Sequence, residues 1–285
     1  MNVRIGVSFD LLGTLIVVRR SPGYQYCTYF RSYLERKGLQ LPTVDEPKLN
    51  ASFKRSIKSE MEKCRKLWVE KGLGEPKEAP LSGVEPGEVF AFWCSVVDGT
   101  LGNDSDYYFD DKEIKSVIQE ARKNGEWKDF IEDVVERFST PEPYEWLPKT
   151  VNTLRALQQW RQQQLSHGVL CAIPTVVSNS DSRLAHAISA MLQQEEAGER
   201  LVGGLFFADT VGVAKPSPRG IMLACESCGV TSVKYWVHVG DDEEDREAAE
   251  RAGCHFIRCS STEGPDWGGL QAKLQELCHH ALRAN

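Results

Sequence analysis

Four short segments of the chain carry side chains that suit a single reaction. Phe9–Leu15 reads FDLLGTL, Val176–Asp181 reads VVSNSD, Ala214–Pro218 reads AKPSP and Val239–Asp245 reads VGDDEED. Together they supply a carboxylate at Asp10, hydroxyls at Thr14 and Ser178, an amide at Asn179, an ammonium at Lys215 and an acidic run from Asp241 to Asp245. Asp10 and Asp241, if brought close, would repel, and a bound divalent cation is the usual relief. Magnesium suits such a pair, because it takes oxygen ligands, keeps several waters and is commonly held by one or two carboxylates plus a substrate phosphate. The Ser178 hydroxyl and the Lys215 ammonium would then hold phosphate oxygens and leave Asp10 to attack phosphorus in line. Each residue alone has an ordinary explanation as a strand-end Asp, a helix-capping Ser, a surface Lys or an acidic first helical turn. Their joint appearance is what points to chemistry.

That chemistry requires elements that bring the four segments together. Ile5, Val7 and Phe9 lie two apart in an apolar run from Val3 to Asp10, which predicts a buried strand ending at the carboxylate, with Gly13 relaxing the loop behind it. Further apolar runs at 175–177, 205–207, 235–239 and 254–257 alternate with helical patterns beyond Pro148, the signature of a parallel sheet covered by helices. Pro174 cannot donate to a ladder, so the strand begins beside it. Asp181 is placed to cap the next helix, which presents Leu184, Ile188, Met191 and Leu192, and Pro216 and Pro218 suit a turn into another. If the strands are parallel, Asp10, Ser178, Lys215 and Asp241 converge on the carboxyl edge of the sheet, where open α/β folds place their ligands.

Between the first and second segments the pattern is helical throughout. Phe30, Tyr33 and Leu34, then Leu49 to Trp68, then Val89 to Val97, then Ile114 to Ala121 and a last short run at 129–138 predict amphipathic helices, with a Pro/Gly-rich loop at 72–87. Their aromatic stripe reads as the core of a small bundle. Turn-rich stretches at 19–23 and 139–143 bracket this insert as hinges. The fold expected is therefore α/β, a Rossmann-like parallel sheet core at 1–18 and 144–285, interrupted by an all-helical domain at 19–143.

Composition narrows the partners. With 285 residues, 41% of them hydrophobic, the chain can bury a full core without staples. A net charge of −7 gives no electrostatic footprint for a nucleic-acid backbone, and no apolar run reaches spanning length. The absence of a secretory pattern predicts a cytoplasmic protein with neither nucleic acid nor membrane as partner. Nine scattered cysteines suit reduced thiols. The Cys225–Cys228 pair has no second pair to complete a zinc site, and His238, flanked by Val237 and Val239, reads as a satisfied core histidine.

In this order the four motifs resemble those of the haloacid dehalogenase-like hydrolase superfamily, and the helical insert is similar to the family's cap domain, which closes over the site and helps choose the substrate. The resemblance implies that Asp10 is the nucleophile and a metal ligand, that the Leu12 backbone carbonyl and Asp241 are further ligands, and that Asp245 supports the metal directly or through water, with Asp242 in the same cluster. It assigns Ser178 and Lys215 to phosphate binding, beside Thr14 and Asn179, and implies a magnesium-dependent phosphatase acting on a small phosphorylated metabolite. One position departs from the pattern: family phosphatases carry an acid–base Asp two residues after the nucleophile, and here that residue is Leu12. A positioned acid or base is worth roughly 10²–10⁴ in rate, so slow turnover is expected. Two other readings stand beside this one. A metal-independent haloacid dehalogenase is disfavoured by the acidic fourth motif, and a phosphate-binding or protein-interaction module without turnover is the reading that Leu12 favours.

Overall fold

The computed structural model describes residues 4–40, 45–70, 86–102, 111–195 and 200–283. They fall into two compact units, one formed by residues 4–17 and 144–283 and the other by 18–143. Strand β1 (Arg4–Phe9) opens the first, and every residue from Ile5 onward is buried, as a strand covered on both faces requires. A short strand, β2 (Ile16–Val18), follows the loop that carries Asp10.

The second unit consists of α1 (Pro22–Arg36), α2 (Glu46–Glu70), α3 (Pro86–Leu101), α4 (Lys112–Asn124) and α5 (Glu126–Arg137). Ser21 caps α1 by accepting from the Tyr24 N–H at 3.2 Å, and Asp111 caps α4 in the same way. The aromatic stripe is core: Tyr26, Phe30, Tyr33, Trp127 and Phe130 are buried together, with Phe53, Phe90 and Trp93 packed against them. Two boundaries differ from expectation. Helix α5 begins at Glu126, directly behind the left-handed Gly125 that also ends α4, and α3 begins at Pro86, where proline fits the first helical turn. The rest of the expected loop at 72–87 lies outside the described residues.

Strand β3 (Tyr144–Trp146) returns the chain to the first unit and pairs with β2 in a two-stranded sheet. Then come α6 (Thr150–Ser166), β4 (Leu170–Cys171), β5 (Thr175–Ser178), α7 (Leu184–Glu195), β6 (Gly204–Phe207), α8 (Ala208–Val211), α9 (Arg219–Ser227), β7 (Trp236–Gly240), α10 (Glu243–Ala252), β8 (His255–Arg258) and α11 (Trp267–Arg283). The main sheet runs β6-β5-β1-β7-β8, with β4 also beside β1. All of these pairings are parallel. Strands β4 and β5 are one interrupted strand, since Arg4 pairs with Leu170 and, further along β1, Ser8 pairs with Thr175, with Pro174 in the break.

Side-chain alternation puts Gly6, Ser8 and Asp10 on one face of the sheet, in register with Trp236 and His238 of β7. On that face Val177 and Trp236 pack with Ile221 and Ala224 of α9 and Ala248 and Ala249 of α10. The Trp236 indole lies across Gly6: a Cβ at that position would sit 2.1 Å from the ring. Gly6→Ala must therefore displace a fully buried indole in the centre of the sheet. We expect a loss of about 1–3 kcal/mol, the usual range for an overpacked core, measured as a lower urea midpoint at unchanged slope.

Candidate active site

Asp10 is the first residue past β1, and its N–H donates to the Val239 carbonyl at 2.8 Å, which fixes the nucleophile candidate to the adjacent strand β7. Strands β5 and β7 flank β1, so Ser178, at the end of β5, and Asp241, just beyond β7, arrive at the same sheet edge as Asp10. Lys215 comes from the loop between α8 and α9. Its ammonium is only 4% exposed and uses all three donors: Asp10 Oδ1 at 2.6 Å, the Val177 carbonyl at 3.2 Å and Asp245 Oδ1.

The Asn179 side chain clamps the Lys215 backbone. Its Oδ1 accepts from the Lys215 N–H at 2.6 Å, and its amide nitrogen donates to the Lys215 carbonyl at 3.1 Å and to Glu244 at 2.6 Å. Thr14 is fully buried and donates to Asp241 Oδ1 at 3.1 Å, so its hydroxyl orients that carboxylate. Gly13 is needed twice over: its φ is +86°, and a Cβ there would lie 2.5 Å from an Asp241 oxygen. Ser178 is buried, and its hydroxyl donates to Ser180 Oγ at 3.2 Å. Asp242 is the N-cap of α10, accepting from the Asp245 N–H at 2.9 Å, which gives it a structural task at the rim. Asp181 accepts from the Arg183 N–H at 3.2 Å and holds the Arg183 guanidinium through bonds of 2.7 and 2.8 Å, just ahead of α7. Cys225 lies in α9 and Cys228 caps its end, both as free thiols.

Asp10, Asp241 and Asp245 each offer an oxygen within 4.8 Å of the others. The Leu12 carbonyl accepts no hydrogen bond among the described residues, whereas that of Leu11 accepts from both Leu15 and Ile16. One ammonium meets two of these carboxyls, and the partly buried Asp241 adds a third, so acidic groups outnumber the cation. Carboxylate and carbonyl oxygens are the donors a hard divalent cation takes, so the residues present fit such an ion. Burial pushes the Asp10 carboxyl up to about 7, with Lys215 opposing and Asp245 adding to the rise. Burial also works against the charge on Asp245, but the His238 hydrogen bond and the Lys215 charge outweigh it and hold this carboxyl well below the usual range. Lys215 is kept protonated by Asp10 and Asp245 against its own desolvation. Asp241 is raised by burial.

His238 is fully buried with both ring nitrogens engaged, Nδ1 with Ser8 Oγ at 2.8 Å and Nε2 with Asp245 Oδ1 at 3.2 Å. The expectation of a satisfied core histidine holds, but the sequence reading missed that its partner belongs to the acidic cluster. The available signal was periodicity: Ser8 stands two residues before Asp10, and Trp236 and His238 alternate toward Gly240.

A parallel sheet whose carboxyl edge gathers a buried aspartate, an ammonium and an acidic cluster describes a class of α/β hydrolytic enzyme. The family model of the haloacid dehalogenase-like hydrolases matches residues 6–253, and the chain belongs to that family of hydrolases. Among solved structures, an L-2-haloacid dehalogenase is 14% identical with a TM-score of 0.51, covering 92% of this chain and 88% of its own. A hydrolase of the same superfamily from Ehrlichia chaffeensis is 15% identical with a TM-score of 0.45, covering 98% and 99%. A predicted phosphoglycolate phosphatase from Haemophilus somnus is 18% identical with a TM-score of 0.42, covering 92% and 87%. No curated protein matches the sequence. The first of these structures supports the fold. Among the described residues no helix is long and apolar enough to cross a membrane.

The raised Asp10 carboxyl gives metal binding a proton signature. At pH 6 Asp10 is mostly protonated, and a cation that favours its ionised form must displace that proton; at pH 8 the carboxylate is already formed. Calorimetric titration with a divalent cation in two buffers of different ionisation enthalpy should show proton release at pH 6 that fades by pH 8. Equal proton release at both values would contradict a carboxyl poised near 7.

Proposed function

We propose that this hydrolase is a magnesium-dependent phosphatase that cleaves a small phosphate ester through a phosphorylated Asp10. The observation that carries the reading is the convergence of Asp241 and Asp245 on Asp10, with one oxygen of each within 4.8 Å of the others, a donor set that suits a hard divalent cation beside a phosphate. Magnesium, held by Asp10, the Leu12 carbonyl, Asp241 and Asp245 directly or through water, would supply positive charge to offset that of the phosphoryl oxygens. Lys215 adds its ammonium to the same task, and Ser178 offers a hydroxyl from the end of β5.

One oxygen of Asp10 attacks phosphorus as the ester P–O bond breaks, and the leaving oxygen takes the electron pair. Water then adds to the phosphorus of the phospho-aspartate, the Asp10–phosphorus bond breaks, and inorganic phosphate leaves with Asp10 restored. Family phosphatases protonate the leaving oxygen with an acid two residues beyond the nucleophile. Leu12, 37% exposed, can neither donate nor accept that proton, so solvent or an acid of the helical unit has to serve. Esters with good leaving groups, which need little protonation, suffer least. By the family resemblance the helical unit is the candidate cap, the part that helps choose the substrate. The same departure at Leu12 favours a second reading, a module that binds a phosphorylated ligand without turning it over.

A panel assay separates these outcomes. Aryl phosphates should turn over faster than alkyl phosphates with magnesium, and chelation or Asp10→Asn should abolish both. Leu12→Asp should raise alkyl ester turnover by roughly 10²-fold or more, the usual worth of a positioned acid. Halide release from a haloacid that ignores chelator would establish the dehalogenase reading instead. Tight binding of a phosphate ester with no turnover, even in Leu12→Asp, would establish the binding module.

A further inference from the structure

A line of buried hydrogen bonds runs along one face of the sheet toward the acidic cluster, and its direction can be worked out from donor and acceptor chemistry. It starts at the Trp236 indole N–H, which can only donate, and which meets Ser8 Oγ at 2.8 Å. Ser8 is fully buried, so its own hydroxyl proton needs an acceptor, and His238 Nδ1 lies 2.8 Å away. An Nδ1 that accepts from Ser8 carries no proton. The imidazole proton then sits on Nε2, which is 3.2 Å from Asp245 Oδ1. That same oxygen receives the Lys215 ammonium, and Lys215 in turn holds Asp10 Oδ1 at 2.6 Å.

Local geometry supports a built device. Gly6 leaves the space that the Trp236 ring fills, with only 2.1 Å to spare for any Cβ, so the indole can lie along β1 and reach Ser8. Gly240 does the same at the far end, where a Cβ would fall 2.2 Å from the Asp245 carboxyl carbon. The other Asp245 oxygen accepts from the Asp242 N–H at 3.3 Å. The carboxylate is therefore approached from three sides, and only the His238 side comes from the interior of the sheet.

We infer that Trp236, Ser8 and His238 form a directional hydrogen-bond chain whose purpose is to position Asp245, and through it the Lys215 ammonium, against Asp10. His238 is thus a positioning residue, acting through Asp245 without touching substrate. The kinetic part rests on the phosphatase reading; the structural part does not.

The test compares His238→Gln, His238→Asn, His238→Leu and Ser8→Ala with the wild type. Glutamine can place a donor near the Nε2 position, whereas asparagine reaches only the Nδ1 position. If His238 merely fills space, side-chain volume alone decides, and His238→Leu, similar in volume to glutamine, should match His238→Gln. If it positions Asp245, His238→Asn should lose roughly 10- to 100-fold in kcat, the usual effect of losing such a supporting contact, while His238→Gln recovers most of that loss. Nitrogen-15 spectra supply a readout that needs no turnover. Wild-type His238 should be the neutral Nε2–H tautomer, and the Lys215 ammonium should give a slowly exchanging signal that is retained in His238→Gln and shifts or broadens in His238→Asn and Ser8→Ala. An Nδ1–H tautomer, a Lys215 signal indifferent to every variant, or asparagine or leucine performing as well as glutamine would overturn the inference. Should the wild type hydrolyse no phosphate ester, the phosphatase reading fails and the spectra alone decide this one.

Discussion

The structure turns on one buried cation. Lys215 is nearly inaccessible, and an ammonium taken out of water at that depth is tolerated only if it is paired and fully hydrogen-bonded. Its three acceptors come from the end of β1, the carbonyl of Val177 in β5 and the first turn of α10. One charge thus ties together segments that are remote in sequence, and the loop that carries it is held by the Asn179 amide. The same arrangement explains why Asp10 and Asp245 titrate in opposite directions. Both are buried and face Lys215, but Asp245 also receives His238 and the Asp242 N–H, whereas Asp10 is raised by burial and further by the charge of Asp245.

Much of the fold was legible because the physical signals were local. The apolar run ending at Asp10, the break at Pro174 and the helical spacing of Phe30, Tyr33 and Leu34 each report on their own neighbourhood, and each corresponds to an element of the structure. What escaped was of two kinds. Strands β2, β3 and β4 have only two or three residues, too few for a periodic pattern, and exist because a partner strand lies beside them. The second kind is the division of labour among polar side chains. Thr14 and Asn179 read as ligand-facing groups, yet the structure engages them with Asp241 and with the Lys215 backbone. Only three-dimensional register decides between holding a ligand and holding a neighbour, and His238 became informative for the same reason.

The helical unit is organised on different terms. Its interior is aromatic, with Tyr33 and Phe130 rings 4.7 Å apart and Phe30 edge-on to Trp127 at 5.8 Å, and at its edge the partly exposed Asp98 accepts from the Trp127 indole at 2.7 Å and pairs with Arg122. The cluster draws its described members from residues 26–138. The sheet unit has no such single stretch, because its central strand comes from one end of the chain and both of its neighbours from the other.

That split order has a consequence for how the molecule is made. Thr14 and its partner Asp241 are 227 residues apart, so at the ribosome the loop behind β1 waits roughly 11–45 s for its acidic counterpart to be synthesised. Until β5 is synthesised β1 is an apolar strand with neither flanking neighbour, while the residues of the helical core are already made. The order of synthesis thus sets the order in which the two units can close.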